Sequence, residues 1–175
     1  MQVAKRRRAI PSRSHRIRER EEEAERYFDL AFEKHRDHKI TEAIPLYERS
    51  IELHPTAEAY TYLGWAYSMK GDLNRAIEEC LNAIELDPDY GNPYNDIGDY
   101  LIRQGKLDEA IPWLERALAA RRYEARCYPH MNLGQIWEQK LDYGKAVEAY
   151  RCALEENPNC TPALVCLTRL KSIFN

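Results

Sequence analysis

The sequence predicts an all-α array of helix-turn-helix repeats, and three observations carry that reading. One pattern recurs in AYTYLGWAYSMKGDLNRAIEECLNAIELDP from Ala59, PYNDIGDYLIRQGKLDEAIPWLERALAAR from Pro93 and PHMNLGQIWEQKLDYGKAVEAYRCALEENP from Pro129. A degenerate copy, AERYFDLAFEKHRDHKITEAIPLYERSIELHP, precedes them from Ala24. Gly64, Gly98 and Gly134, like Ala43, Ala76, Ala110 and Ala146, return about every 34 residues, the period of stacked helical hairpins. Within each copy the apolar residues keep helical spacing, and turn signals such as Gly71 and Gly105 and closing prolines such as Pro88 fall between the stripes.

The elements follow in chain order. Residues 1–20 hold eight Lys or Arg against one acid, whereas 21–175 hold 18 against 28. A basic arm therefore precedes an acidic body, and KRRRAIPSRSHRIRER is too polar to fold alone before about Ser14. From Ser14, a possible N-cap, a helix is expected through Tyr27, Leu30 and Ala31, with opposite charges such as Glu22 and Arg26 at helical spacing. Repeats are assigned to 24–56, 57–90, 91–126 and 127–160. In the second, Tyr60, Leu63, Gly64 and Tyr67 form the first stripe, and Ala76, Ile77, Cys80, Ala83 and Ile84 the other. Small residues in both stripes let two backbones approach closely, so the helices pair antiparallel. Gly71-Asp72 and Gly105-Lys106 mark the turns, with Thr41, Asn74 and Asp108 as candidate N-caps for the second helices. Pro55, Pro88 and Pro158 end those helices, since proline lacks an amide donor. One hairpin cannot bury both of its faces, so neighbours must stack. Thr161-Pro162 opens a last helix over 161–175, whose Ala163, Leu164, Cys166, Leu167, Leu170 and Ile173 would cap the array.

The recurring Leu-Gly and aromatic positions of the first helix, and the Ala, apolar, small and Pro positions of the second, resemble the tetratricopeptide repeat (TPR) family. Tyr60, Leu63-Gly64, Tyr67, Ala76, Cys80, Ala83 and Pro88 carry the match in one repeat. Leu133-Gly134, Trp137, Ala146, Tyr150, Ala153 and Pro158 carry it in another. The resemblance covers residues 24–160 and implies a right-handed superhelical solenoid of about four hairpins with a C-terminal capping helix. Two departures stand out. The first repeat has Ala31 and Lys34 where others have Gly and a large apolar residue, which predicts looser packing. The third lacks its terminal proline, and the Ala110 to Ala146 step is 36 residues. Either its second helix is longer or the connection is wider, with a change of pitch and an exposed ledge of Arg116, Arg121, Arg122 and Arg126.

Composition narrows the classes. No run of 18 apolar residues or secretory apolar segment occurs, so a soluble, cytoplasmic protein without membrane contact is expected, with the nucleus open in a eukaryote. The odd set Cys80, Cys127, Cys152, Cys160 and Cys166 contains no CxxC pair and reads as reduced packing residues, without metal or cofactor. His35-Arg36-Asp37 lacks the other motifs of a kinase and falls at a hairpin turn, where His35 and His38 read as solvated. No catalytic residues are expected.

The resemblance implies a non-enzymatic interaction module that holds a partner peptide or helix on the concave face. By position, that groove is formed by Phe28, Phe32, Thr61, Trp65, Met69, Asn95, Asp99, Arg103, Met131 and Gln135, with Glu138 at its end. Phe32 and Trp65 would lie side by side, flanked by Phe28 and Met69, unless the N-terminal extension or arm covers them. The clamp by which some TPR domains hold a terminal carboxylate is absent in either register. Phe28, Phe32, Tyr62, Asn92 and Asp96, or Thr61, Trp65, Asp96, Tyr128 and Asn132, supply no cation. The alternative function is polyanion or weak nucleic-acid contact through Lys5, Arg6, Arg7, Arg8, Arg13, Arg16 and Arg18. Self-association of basic arm and acidic body is also open.

Overall fold

The computed structural model describes residues 12–174, side chains through 173, and nine helices lie among them. These are α1 (Arg13–Arg36), α2 (Ile40–Leu53), α3 (Ala57–Met69), α4 (Leu73–Leu86), α5 (Asn92–Arg103), α6 (Leu107–Ala119), α7 (Cys127–Gln139), α8 (Tyr143–Glu156) and α9 (Thr161–Phe174). The chain divides into two units at the Pro55–Thr56 junction.

The first unit is the α1/α2 hairpin. Its longer helix is capped two residues earlier than expected: Ser12, not Ser14, accepts from the His15 amide at 3.2 Å. Ala31, Ala43 and Tyr47 are fully buried, so the alanine in place of glycine does not loosen this pair. Lys34 stays out of the core and meets Glu42 at 2.7 Å. His35 corrects the solvated-turn expectation. It is buried, with Nδ1 in a 3.3 Å hydrogen bond with the Tyr47 hydroxyl, and burial, then nearby His38, pushes its pKa down.

The second unit contains α3/α4, α5/α6, α7/α8 and the capping helix α9. Each hairpin packs on the next through α4 on α5, α6 on α7 and α8 on α9, while α3, α5 and α7 are neighbours along one face. Polar ties cross the repeats at matching places. Arg103 donates to the Ser68 carbonyl (2.9 Å), Lys140 pairs with Asp108 (2.6 Å) and Arg169 with Glu138 (2.6 Å). On α9, Ala163, Leu167 and Leu170 are buried against α8, but Leu164 and Ile173, expected in that contact, are exposed.

The expected N-caps need correction. Asp72 and Asp142, one residue before α4 and α8, accept from Arg75 and Lys145 amides, while Lys39 and Lys106 precede α2 and α6 without a side-chain cap. Gly71 and Gly105 take the left-handed conformation at their turns (φ 84° and 77°), and the equivalent turn before α8 forces Leu141 to φ 61°. That conformation costs a non-glycine residue about 1–2 kcal/mol, partly offset by the greater unfolded-state freedom of glycine. Because Leu141 is mostly exposed, Leu141→Gly is expected to raise the thermal midpoint by roughly 1–4 °C in circular dichroism melts. A lower midpoint would show that its side chain matters more than its backbone.

Candidate partner-binding pocket

The irregular step between the third and fourth repeats is the key to the site. Helix α6 is not longer; the connection is, and residues 120–126 lie against the loop before α5. Tyr90 and Arg122 form an isolated parallel bridge, with the Arg122 amide donating to the Asp89 carbonyl (2.9 Å) and the Gly91 amide to the Arg122 carbonyl (3.1 Å). Tyr123 packs so tightly on Gly91 that a Cβ there would overlap its side chain. The four arginines are therefore not a free ledge. Arg126 donates to the Leu118, Ala120 and Tyr123 carbonyls, and Arg116 covers the Tyr94 and Trp113 rings. Arg122 bridges Glu58 (2.7 Å) and Asp87 (2.6 Å), and Arg121, mostly exposed, lies 3.9 Å from Asp89.

Held in this way, the connection closes one wall of a pocket of about 330 Å³. Tyr62 and Trp65 come from α3, Asn92, Asn95 and Asp96 from α5, Tyr123 and Ala125 from the connection, and Tyr128 from α7, with Thr61 at the floor. Tyr62 and Trp65 form a tilted pair with centroids 5.9 Å apart. Asn132 donates to Asn95 Oδ1 at 3.1 Å, tying α7 to α5, and Asn95 donates to Asp96 Oδ1 at 3.4 Å. Desolvation pushes the Asp96 carboxyl up to about 7; the Asn95 bond opposes this, and the Asp99 charge adds to it. No lysine or arginine among the described residues forms an ion pair with Asp96.

Some of the anticipated groove residues line this pocket. Trp65 (46% exposed) and Asn95 line the pocket, as do Asp96 and Tyr128 from the second clamp register. Thr61 offers no hydroxyl to a ligand, because it is buried and donates to the Ala57 carbonyl at 2.7 Å. Arg103 pairs with Asp99 at 3.7 Å in addition to its bond to Ser68. Met131 packs on the core of α8 and α9, and Gln135 is half-buried on α7. Glu138 accepts from Tyr150 and Arg169. Met69 is exposed on α3. In the first unit, Phe28 is half-buried against Tyr47 with centroids 5.6 Å apart, and Phe32 is exposed. Arg13, Arg16 and Arg18 are exposed on α1, followed closely by Glu19, Glu21, Glu22 and Glu23, whereas Lys5, Arg6, Arg7 and Arg8 lie outside the described residues. The sequence reading missed Tyr123 and Ala125, although the 36-residue step marked their segment.

Two profiles of the tetratricopeptide repeat match residues 57–90 and 95–159. The chain belongs to the tetratricopeptide repeat family. Among curated relatives, the TPR repeat-containing thioredoxin TTL4 of Arabidopsis thaliana is 32% identical over 77 residues, covering 43% of this chain and 11% of that protein. The inactive TPR repeat-containing thioredoxin TTL3 of the same plant is 24% identical over 86% of this chain and 23% of its own length. The chain thus spans less than a quarter of either relative. Among solved structures, PilF of Pseudomonas aeruginosa superposes with a TM-score of 0.80 at 23% identity, covering 87% of this chain and 69% of that one. YrrB, described as a TPR protein with an unusual peptide-binding site, gives 0.64 at 20% identity, covering 94% and 84%. These likenesses establish the TPR solenoid fold. TPR proteins are generally protein-interaction scaffolds, and no helix among the described residues is long and apolar enough to cross a membrane.

Proposed function

We propose that this TPR array is an adaptor or assembly scaffold that holds an extended or helical segment of a partner protein, anchored in the pocket between α3, α5 and α7. The observation that carries this reading is the convergence of Tyr62, Trp65, Tyr123 and Tyr128 around one concavity, with Asn92 and Asn95 beside them. Amphipathic rings give a partner large contact area at small entropic cost, and side-chain amides can bond to peptide groups. YrrB, with its peptide-binding site, is consistent with that use. Phe32 and Met69 are proposed as further apolar contacts on their own helices.

Trp65 and Tyr128 are each nearly half exposed, so truncating them leaves the helical core intact. The double variant Trp65→Ala, Tyr128→Ala is expected to lose at least about tenfold of the protein captured from nuclease-treated lysate, while its circular dichroism spectrum stays unchanged. Capture that persists at the parent level would sink the proposal. Capture abolished by nuclease in the parent itself would move the function to the basic arginines.

A further inference from the structure

Resting on that reading, we propose that the pocket is selective for a cationic side chain, a lysine or arginine of the partner segment, with its charge among the rings and against the Asp96 carboxylate. Charge complementarity decides the class of occupant. Of the residues lining the pocket, Asp96 is the one that bears a carboxyl group, an anion once it is ionised above about pH 7. A carboxylate-bearing ligand would meet it with like charge and no donor cation. A neutral aliphatic side chain would leave a half-buried carboxyl group facing carbon, which loses hydration without replacement. A cation satisfies both parts of the site, since aromatic faces attract positive charge and the carboxylate accepts its N–H bonds. The protein already packs cations on rings elsewhere: Arg116 lies 4.6 Å from the Tyr94 centroid and Lys145 Nζ 4.3 Å from that of Trp137. The pocket volume accepts one long side chain and leaves the peptide backbone at the mouth, within reach of Asn92.

Protons compete for the same group. Among the described residues, the titratable groups around Asp96 are the Tyr62 phenol of α3, the Cys80 thiol of α4, the Tyr90, Tyr100 and Tyr123 phenols, the Tyr128 phenol of α7 and the Asp99 carboxyl. Burial raises the thiol and the Tyr90, Tyr100 and Tyr123 phenols, which therefore stay neutral, and Asp99 is the other carboxyl of this set. Because Asp96 takes up its proton near 7 in the unliganded protein, a cation must bind more weakly below that pH.

The test uses the full chain, with the Trp65 indole N–H resonance assigned through Trp65→Phe. The probes are the Nα-acetyl methylamides of lysine, arginine, norleucine and citrulline. The lysine and arginine amides are expected to shift the resonance saturably, with Kd of roughly 1–10 mM, and the neutral isosteres to bind at least about tenfold more weakly. Asp96→Asn should bring the lysine amide down to the norleucine level with the helical spectrum unchanged. For the parent, affinity should be about tenfold lower near pH 6 than near pH 8. Equal binding of norleucine and lysine amides, or full retention in Asp96→Asn, would overturn the cation assignment while leaving the partner-binding reading in place. The absence of a saturable shift with any probe would also overturn it, while the capture experiment judges the groove separately. A peptide of residues 1–13 that binds there more tightly than either amide would overturn the external partner in favour of the chain's own basic segment.

Discussion

Gly134→Ala is expected to weaken the C-terminal hairpin by about 2–3 kcal/mol, although alanine is ordinarily the better helix former by up to about 1 kcal/mol. A Cβ at Gly134 would overlap the Tyr150 ring, with Cδ1 and Cζ at 2.7 and 2.8 Å and Cε1 closer still. The ring has nowhere to go. Tyr150 is fully buried in a cluster with Ala146, Ala153, Ala163, Leu167 and Leu170, and its hydroxyl donates to Glu138 at 2.8 Å. Glu138 is in turn held by Arg169 from the capping helix. Moving the ring therefore disturbs α7, α8 and α9 together. Gly144→Ala is the matched control, because its Cβ would meet only the Asp142 carboxylate at 3.7 Å on the exposed first turn of α8. The first variant should melt roughly 4–12 °C below the parent and the second at or slightly above it. Equal midpoints for the two would show that close backbone approach at Gly134 is not what fixes the hairpin.

The same glycine illustrates how much of the fold could be read from the sequence. Helical periodicity records which face of each helix is apolar, and a recurring Gly facing the residue four places after a recurring Ala records where helices cross. Gly98 on Leu114 and Gly134 on Tyr150 are that crossing. Local capping was less legible. Asn74 and Asp72 are both good caps at neighbouring positions, and the choice depends on the left-handed glycine at 71, a conformation that leaves no unique sequence mark. His35 was misplaced because a turn in sequence need not be a turn in water: the Tyr47 hydroxyl from the facing helix satisfies a ring nitrogen inside the hairpin.

For the pocket, position within the repeat pointed to Thr61, Trp65 and Asn95, but it could not distinguish a side chain that faces a ligand from one that bonds its own helix, as Thr61 does. Tyr123 was out of reach for a different reason. It lies in the one stretch without periodicity, and its placement depends on Gly91 and on the long-range bridge between Tyr90 and Arg122. The arginines of that stretch looked like a free ledge because sequence counts charges without showing the carbonyls and carboxylates that Arg122 and Arg126 engage.

Above neutral pH, Asp96→Asn is expected to be more stable than the parent, even though it is the substitution that should disable cation binding. Desolvation holds the Asp96 carboxyl near 7 in the folded chain, whereas an unfolded aspartate ionises near 3.9. Between those values the folded protein retains a proton that the unfolded chain has released, so its stability falls as pH rises through this window and levels off above about 7. The gap between 3.9 and about 7 corresponds to about 4 kcal/mol. Allowing for the partial exposure of the side chain, about 2–4 kcal/mol should separate the parent near pH 8 from the variant, whose amide cannot ionise. Asp99, also raised by burial, leaves the variant a shallower dependence in the same direction. Thermal midpoints measured from about pH 4 to 8 should therefore nearly coincide in acid and diverge by roughly 4–15 °C above neutrality. Parallel profiles would mean that Asp96 is solvated in the free protein and that the pocket holds no stored charge for a cation to neutralise. Divergence, together with loss of the lysine amide signal, would identify a carboxylate that costs the fold stability and contributes to binding instead, the trade expected of a binding group and not of a packing residue.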